Sequence, residues 1–133
     1  MAGIREATPS DLGAITSFDI FAGDRSADVE RGECFVALED GQVVGYVVFN
    51  HSFYLRPFVQ FLCVNPDSRR RGLANGLLEY VESLCDGDTL FTSTESDNLP
   101  MLRLLSRRGY RVSGVIENIQ ERAEVVFCKE VRR

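Results

Sequence analysis

The chain has 133 residues, of which 44% are hydrophobic and 26% are charged, and its formal net charge is −5 at pH 7. This composition excludes a disordered chain and predicts one folded domain that spans residues 1–133. The negative charge disfavours nonspecific binding to nucleic acid, which depends on a basic surface.

The first half of the chain predicts short helices and an antiparallel meander. Thr8 and Asp11 are spaced like the ends of a capping box, and Asp40-Gly41 is a hairpin signal between two apolar runs. The predicted elements are a strand at 4–7, a helix from Thr8, a shorter helix within 19–32, strands at 34–38 and 43–49, a loop or second hairpin turn at 52–57, and a strand at 58–64.

The second half predicts a βαβ unit followed by a helix and a hairpin. The apolar spacing of Leu73, Leu77, Leu78, Val81 and Leu84 marks one face of a helix. The strands before and after that helix should be parallel, since a helix connects them. The predicted elements are a helix at 72–85, strands at 89–93, 110–116 and 125–128, and another helix with a polar start at 95–100 that stops at Gly109.

The sequence shows no membrane or secretion signal. No apolar run approaches the ~20 residues that cross a bilayer, and residues 1–5 lack a basic and then apolar pattern. We therefore expect a cytoplasmic protein with no membrane partner.

The cysteines give no sign of a metal site. Cys34, Cys63, Cys85 and Cys128 form no Cys-x-x-Cys pair, and His51 is the single histidine. The sequence therefore predicts buried free thiols and no metal cofactor.

A basic loop with one glycine joins the strand at 58–64 to the helix at 72–85. Its sequence is Asn-Pro-Asp-Ser-Arg-Arg-Arg-Gly over residues 65–72. Such a loop directs backbone N–H groups to the positive end of a helix dipole, and Gly72 lets an anion approach because it has no Cβ. This arrangement predicts a site for phosphate or pyrophosphate.

The loop resembles a family signature. Arg69-x-x-Gly72-x-Ala74 is similar to the Gln/Arg-x-x-Gly-x-Gly/Ala motif of the GCN5-related N-acetyltransferases, and Asn98 with Arg108-Gly109-Tyr110 resembles their second motif. The resemblance covers roughly residues 4–131. It implies an α/β (α+β) fold, with a mixed, mostly antiparallel sheet of six or seven strands, about four helices, and a V-shaped cleft between the strands that end near Val64 and Ser93.

The resemblance also implies a ligand and a reaction. The co-substrate would be acetyl-CoA, and the acceptor an amine of a small molecule or a protein that attacks the thioester directly; a homodimer is a habit of the family. Asn98 would approach the cofactor arm, although an asparagine is also a good helix N-cap. The pantetheine arm would lie along Leu62, Cys63 and Val64, and the pyrophosphate against Arg69, Arg70, Arg71, Gly72, Leu73 and Ala74.

The chain departs from the family pattern at its proton-transfer groups. Leu105 stands where many relatives have a tyrosine, so no general acid is carried over. The candidate bases are His51, which titrates in a useful range, and Glu95. Each also has an ordinary explanation, His51 as a surface histidine and Glu95 as a solvated acid before a helix.

Two other functions stay open at this stage. Loss of the tyrosine suits a non-catalytic acyl-CoA sensor or scaffold, and the arginine loop suits a nucleotide binder, although it matches neither phosphate-loop consensus. The acceptor has no recognisable code, but acidic residues in the variable segments favour a cationic one. These residues are Asp24, Asp28, Glu117 and Glu121.

Overall fold

The computed structural model describes residues 3–20, 23–85 and 87–132, and these form seven strands and four helices. The sheet order is β1-β2-β3-β4-β5-β7-β6, so the predicted mixed α+β fold is confirmed. The elements are β1 Gly3–Glu6, α1 Leu12–Phe18, α2 Ser26–Glu30, β2 Cys34–Glu39, β3 Gln42–Phe53, β4 Arg56–Val64, α3 Leu73–Leu84, β5 Thr89–Glu95, α4 Leu99–Arg107, β6 Arg111–Ile116 and β7 Glu124–Glu130.

The chain divides into two compact units. The first contains Met1–Asn50 and Gln60–Ser83, and the second contains His51–Val59 and Leu84–Arg133. The single domain over residues 1–133 and the V-shaped cleft stay predictions.

In the first unit, the predicted capping box is present at the 3-10 turn Pro9–Asp11, which leads into α1. The backbone N–H of Thr8 donates to Asp11 Oδ2 at 2.7 Å, and Arg5 donates to both carboxylate oxygens at 2.8 and 3.1 Å. The hydrogen bond from Arg5 holds the pKa of Asp11 below its usual range. Asp11 is buried, so these bonds provide the partners that a buried carboxylate needs.

Alternate residues of β3 pack into one hydrophobic cluster of the first unit. Tyr46 and Val48 are fully buried and pack on the same cluster as Ile15 of α1 and Val29 of α2. Burial and a hydrogen bond to the Asp19 carboxylate raise the pKa of the Tyr46 phenol. A neutral phenol bonded to a carboxylate can therefore lie inside an otherwise apolar core.

The buried face of α3 is the one that the apolar spacing predicts. Leu73, Leu77, Leu78 and Val81 are all buried. Leu84, which the spacing also places on this face, is instead 43% exposed because it is the last residue of the helix. Gly45 of β3 allows a close approach to this helix, because an added Cβ would meet Cys63 O at 3.2 Å and Leu77 Cδ1 at 3.4 Å.

In the second unit, the predicted parallel pairing is confirmed. Phe58 pairs with Phe91 and Val59 with Thr92, whose hydroxyl donates to Val59 O at 3.2 Å. β5 then pairs antiparallel with β7, and β7 with β6. The ring of Phe53 lies 5.1 Å from those of Phe58 and Phe91, which gives this unit an aromatic cluster of its own.

The connection between β3 and β4 is tighter than the predicted loop at 52–57. Only Tyr54 and Leu55 lie between the strands, with φ of 53° and 66°. Both positions of such a turn need φ > 0, and Asn-Gly or Asp-Gly is its usual sequence. Tyr-Leu carries no such signal, so the sequence could not show where the strands meet.

The variable segment 19–32 contains one short helix, α2, as predicted. Phe21, which the sequence placed in this segment, lies outside the described residues. Among the described residues, no helix is long and apolar enough to cross a membrane.

Candidate functional site

The loop after β4 begins with a capped turn. Residues 66–68 form a single 3-10 turn, and the side chain of Asn65 caps it by accepting the N–H of Asp67 at 3.0 Å. The N–H of Asn65 itself donates to Val44 O at 2.8 Å. The exit of β4 is therefore fixed to β3 before the basic residues begin.

The backbone from residue 70 to residue 74 carries N–H groups at the start of α3. Arg70 and Gly72 have φ of 68° and 77°, which turns the chain sharply into α3. Within the described chain, no hydrogen bond is formed by the N–H groups of residues 70–74. Donors at the positive end of a 12-residue helix suit an anion, and the anion site at this loop stays a prediction.

Open space surrounds this row of donors. A Cβ on Gly72 would meet no atom within 4 Å. A groove of about 440 Å³ borders residues 71–73 of this row and is also lined by Ile4, Ala37 and later turns of α3 as far as Ser83.

The three arginines have different roles in this arrangement. Arg69 Nε donates to Val64 O at 3.3 Å and so ties the loop to the end of β4. Arg71 Nη1 pairs with Glu39 Oε1 at 2.7 Å. Arg70 is exposed and takes a left-handed conformation that favours glycine.

The predicted pantetheine segment is the last part of β4. Val64 is buried, and Leu62 and Cys63 are half-buried. Burial and the neighbouring Asp19 carboxylate raise the pKa of the Cys63 thiol to about 11. This favours the neutral form of the thiol at pH 7.

Asn98 acts as the N-cap of α4. Its Oδ1 accepts the N–H of Met101 at 3.4 Å, and its Nδ2 donates to Thr94 Oγ1 at 3.1 Å. These bonds account for Asn98 structurally, so its contact with a cofactor stays a prediction. Leu105 is buried within α4 and provides no proton donor.

The two candidate bases occupy strands of the second unit. His51 is an exposed residue of β3, and Glu95 is the exposed last residue of β5, paired in register with Glu124. Their catalytic role stays a prediction. Among the described residues, no group of His, Cys, Asp and Glu side chains is placed to hold a metal ion.

A polar cluster in the first unit is the part of the site region that sequence reasoning missed. Arg25 and Arg31 both pair with the buried Asp28, at 3.4 and 3.0 Å, and Arg31 also pairs with Glu33 at 3.2 Å. We call Arg25, Asp28, Arg31 and Glu33 the arginine cluster. Its members come from α2 and its flanks. The Arg25–Asp28 and Asp28–Arg31 pairs have the i,i+3 spacing of helix neighbours, which is a signal that the sequence analysis could have used.

The arginine cluster extends to β4 through an amide pair. Asn50 Nδ2 donates to Gln60 Oε1 at 2.8 Å and lies 3.5 Å from Glu33 Oε1. The guanidinium carbon of Arg25 lies 4.0 Å from the centre of the Phe61 ring. Phe61 directly precedes the predicted pantetheine segment, so the cluster reaches the strand that the cofactor is expected to follow.

These contacts change the expectation about the acceptor's charge. Asp28 is compensated by two arginines, and Asp24 accepts hydrogen bonds from Ser26, which lower its pKa. The charge of Asp28 is therefore not available to attract a cationic acceptor.

A family model, a curated relative and solved structures all indicate the same family for this chain. Residues 5–110 match the model of the acetyltransferase (GNAT) family. An S-(2-succino)cysteine N-acetyltransferase from Bacillus subtilis is 25% identical over 116 residues, with 79% of this chain and 70% of the relative covered.

Solved structures share the whole fold. A GNAT-family acetyltransferase from Bacillus cereus superposes with a TM-score of 0.88 at 27% identity, covering 100% of this chain and 99% of the other. Arabidopsis thaliana Naa50, in complex with the bisubstrate analogue CoA-Ac-MVNAL, has a TM-score of 0.80 at 18% identity, covering 97% and 98%. The second likeness concerns the fold alone.

Proposed function

The chain belongs to the acetyltransferase (GNAT) family and is an N-acetyltransferase, and we propose that residues 65–74 bind the pyrophosphate of its co-substrate, acetyl-CoA. The observation that carries this proposal is the row of N–H groups at residues 70–74 that lack acceptors. Phosphate oxygens accept hydrogen bonds from such donors and gain the field of the α3 dipole. The exposed Arg70 adds a positive charge beside the phosphates.

The pantetheine arm would follow Leu62, Cys63 and Val64 through backbone contacts. Backbone N–H groups at this strand would polarise the thioester carbonyl, where negative charge develops during attack. The neutral Cys63 thiol fits this role, since it does not compete with the acceptor for the acetyl group.

The reaction would be a direct attack of the amine nitrogen on the thioester carbon. The C–S bond breaks, coenzyme A leaves as a thiolate that takes a proton, and the nitrogen loses one. We keep His51 and Glu95 as candidate acceptors for that proton. Leu105 offers no general acid, so water would protonate the thiolate, and positioning alone can contribute ~7–11 kcal/mol.

The acceptor would be a small amine or a protein amine. The Bacillus subtilis relative is described by its action on S-(2-succino)cysteine, and the Naa50 structure contains a peptide-derived analogue. The cytoplasm supplies acetyl-CoA, and we expect the enzyme to act there. Size-exclusion chromatography with light scattering would test the predicted homodimer.

The proposed transfer is tested by thiol release. The purified protein is incubated with acetyl-CoA and a panel of amines, the free thiol is measured, and the acetylated product is identified by mass. Thiol release that depends on an amine supports the enzyme. Saturable binding of acetyl-CoA without release for any amine would favour the sensor function instead.

The candidate bases are tested in the same assay. Loss of a general base lowers kcat at neutral pH and removes one limb of the pH–rate profile. We expect this in His51→Gln or in Glu95→Gln. Unchanged pH profiles in both variants would exclude both residues and leave positioning as the main contribution.

A further inference from the structure

Arg25 is a buried cation whose hydrogen-bonding capacity is incompletely used. Its side chain is 13% exposed, and its Nε and Nη1 atoms are buried with no hydrogen-bond partner. Nη1 lies 3.4 Å from Asp28 Oδ2, which is an ion pair without a well-formed hydrogen bond. A buried donor without an acceptor is unfavourable, and such groups in native proteins call for an explanation.

The contacts of Arg31 show what Arg25 lacks. Arg31 pairs with the same carboxylate at 3.0 Å and donates a hydrogen bond to it, yet its side chain is 55% exposed. The more buried arginine therefore has the poorer set of acceptors. The second partner of Arg25 is the face of the Phe61 ring, which attracts a cation but accepts no directed hydrogen bond from Nε or Nη1.

Arg25 also lies close to the expected reaction centre. Phe61 directly precedes Leu62 on β4, and neighbouring residues of a strand are separated by roughly 3.3 Å along its axis. Phe61 is 36% exposed as a residue, and the Arg25 side chain is 13% exposed. Gln60, on the same strand, is exposed and is held by Asn50.

We propose that Arg25 binds a carboxylate of the acceptor, which makes the acceptor a small amine that also carries a carboxylate, such as an amino acid. Nε and Nη1, which have no hydrogen-bond partner, would be the donors, and both are buried, so binding requires the guanidinium to turn over the Phe61 ring. Nη1 would then exchange its 3.4 Å ion pair with Asp28 for the carboxylate of the acceptor. The planar fork of arginine matches a carboxylate.

This inference rests on the proposed acetyl transfer and specifies its substrate class. The probes are amino acids and the matching amino acid amides, which differ only in the carboxylate. We expect wild-type kcat/KM to favour the acid over its amide by about ten- to a hundredfold, as is typical of a charge-assisted hydrogen bond. In Arg25→Gln that preference should fall to near unity, and Arg25→Lys should restore part of it.

Arg31→Gln is the matched control, because Arg31 contacts the same Asp28 and is exposed. It should keep the preference for the acid. Calorimetric titration with coenzyme A should give the same affinity in all variants, which shows that each one is folded.

Three outcomes would overturn the inference. An unchanged acid-to-amide ratio in Arg25→Gln would do so, as would a wild-type preference for amides or for peptide N-termini. Absence of turnover with every carboxylate-bearing amine would also overturn it, while retained coenzyme A binding would leave the cofactor site standing. If the wild-type protein does not bind coenzyme A at all, the result would instead contradict the proposed function itself.

Discussion

The loop at residues 65–74 and the arginine cluster are both polar features of the first unit, but they are built differently. The loop is defined by backbone: Gly72 has φ of 77°, and the donors at residues 70–74 are N–H groups. The cluster is defined by side chains, with Asp28 between Arg25 and Arg31.

The difference shows which features a sequence can reveal. A backbone anion site needs a strand, a glycine and a helix in direct succession, and that order is visible in the chain. A side-chain cluster requires only that charged groups meet after folding. If the comparison holds, the loop should respond to changes in backbone conformation, and the arginine cluster should respond to changes in its charged side chains.

The largest stability effect should come from Asp28→Asn. It leaves Arg25 without its carboxylate in a buried position, and breaking a buried pair in this way costs about 3 kcal/mol. Urea unfolding measures the change. Asp24→Asn is the control, since Asp24 is exposed and an asparagine oxygen can still accept the bonds of Ser26. Equal effects of the two variants would contradict a buried role for Asp28.

Alkaline pH should weaken the core beside the arginine cluster. Burial raises the pKa of Cys34 to about 12 and that of Cys63 to about 11, above the ordinary thiol value of about 8.5. Stability is therefore complete below about pH 8.5 and declines as pH rises toward the folded values, because the unfolded thiols ionise first. We expect a loss of about 2 kcal/mol from Cys34 at pH 10.

Chemical denaturation between pH 8 and pH 10 measures this loss. Cys34→Ala should be less stable at pH 8 but should show a flatter pH dependence. An equally steep decline in that variant would assign the alkaline effect to other groups.

Substituting alanine for Gly72 and, separately, for Gly13 distinguishes the effect of backbone conformation from the effect of the space around an added Cβ. Neither Gly72 nor Gly13 of α1 has an atom within 4 Å of an added Cβ, but only Gly72 has a positive φ. Gly72→Ala should therefore destabilise by about 1–2 kcal/mol, whereas Gly13→Ala should stabilise by about 0.5–1 kcal/mol. Thermal unfolding compares them, and the same sign in both would mean that φ does not limit this position.

Asn98 provides the smallest effect and tests a side chain with two possible roles. Asn98→Ala should lose about 1 kcal/mol of stability, and Asn98→Asp should lose less because aspartate is an equally good N-cap. If Asn98 contacts the cofactor through its amide, both variants should weaken acetyl-CoA binding. Normal affinity in Asn98→Asp would leave the residue as an N-cap.

Much of the fold could be predicted because it depends on periodic apolar spacing. The buried face of α3 follows from such a pattern, and the parallel pairing of β4 with β5 follows from the helix that connects them. A loop or second hairpin turn is predicted at 52–57, but its tight form at Tyr54 and Leu55 could not be predicted, since these residues adopt φ > 0 without glycine or asparagine. Neighbouring strand pairing, and not local preference, decides that conformation.

For the candidate site, local features could also be predicted, whereas contacts between distant residues could not. Gly72 and the basic run identified the loop, but nothing in the sequence shows that Arg71 pairs with Glu39, 32 residues away. The contact of Arg25 with Phe61 likewise joins distant segments. The contact on which the proposed acceptor site rests can therefore be identified only from the folded structure.

Calorimetric titration with acetyl-CoA is the most direct test of the loop as the cofactor site. The wild-type protein should bind acetyl-CoA saturably, and Gly72→Glu should lose at least about a hundredfold in affinity because its carboxylate fills and repels the phosphate site. Gly13→Glu adds the same charge to an exposed position and should bind normally. Wild-type affinity in a folded Gly72→Glu protein would contradict the assignment of residues 65–74.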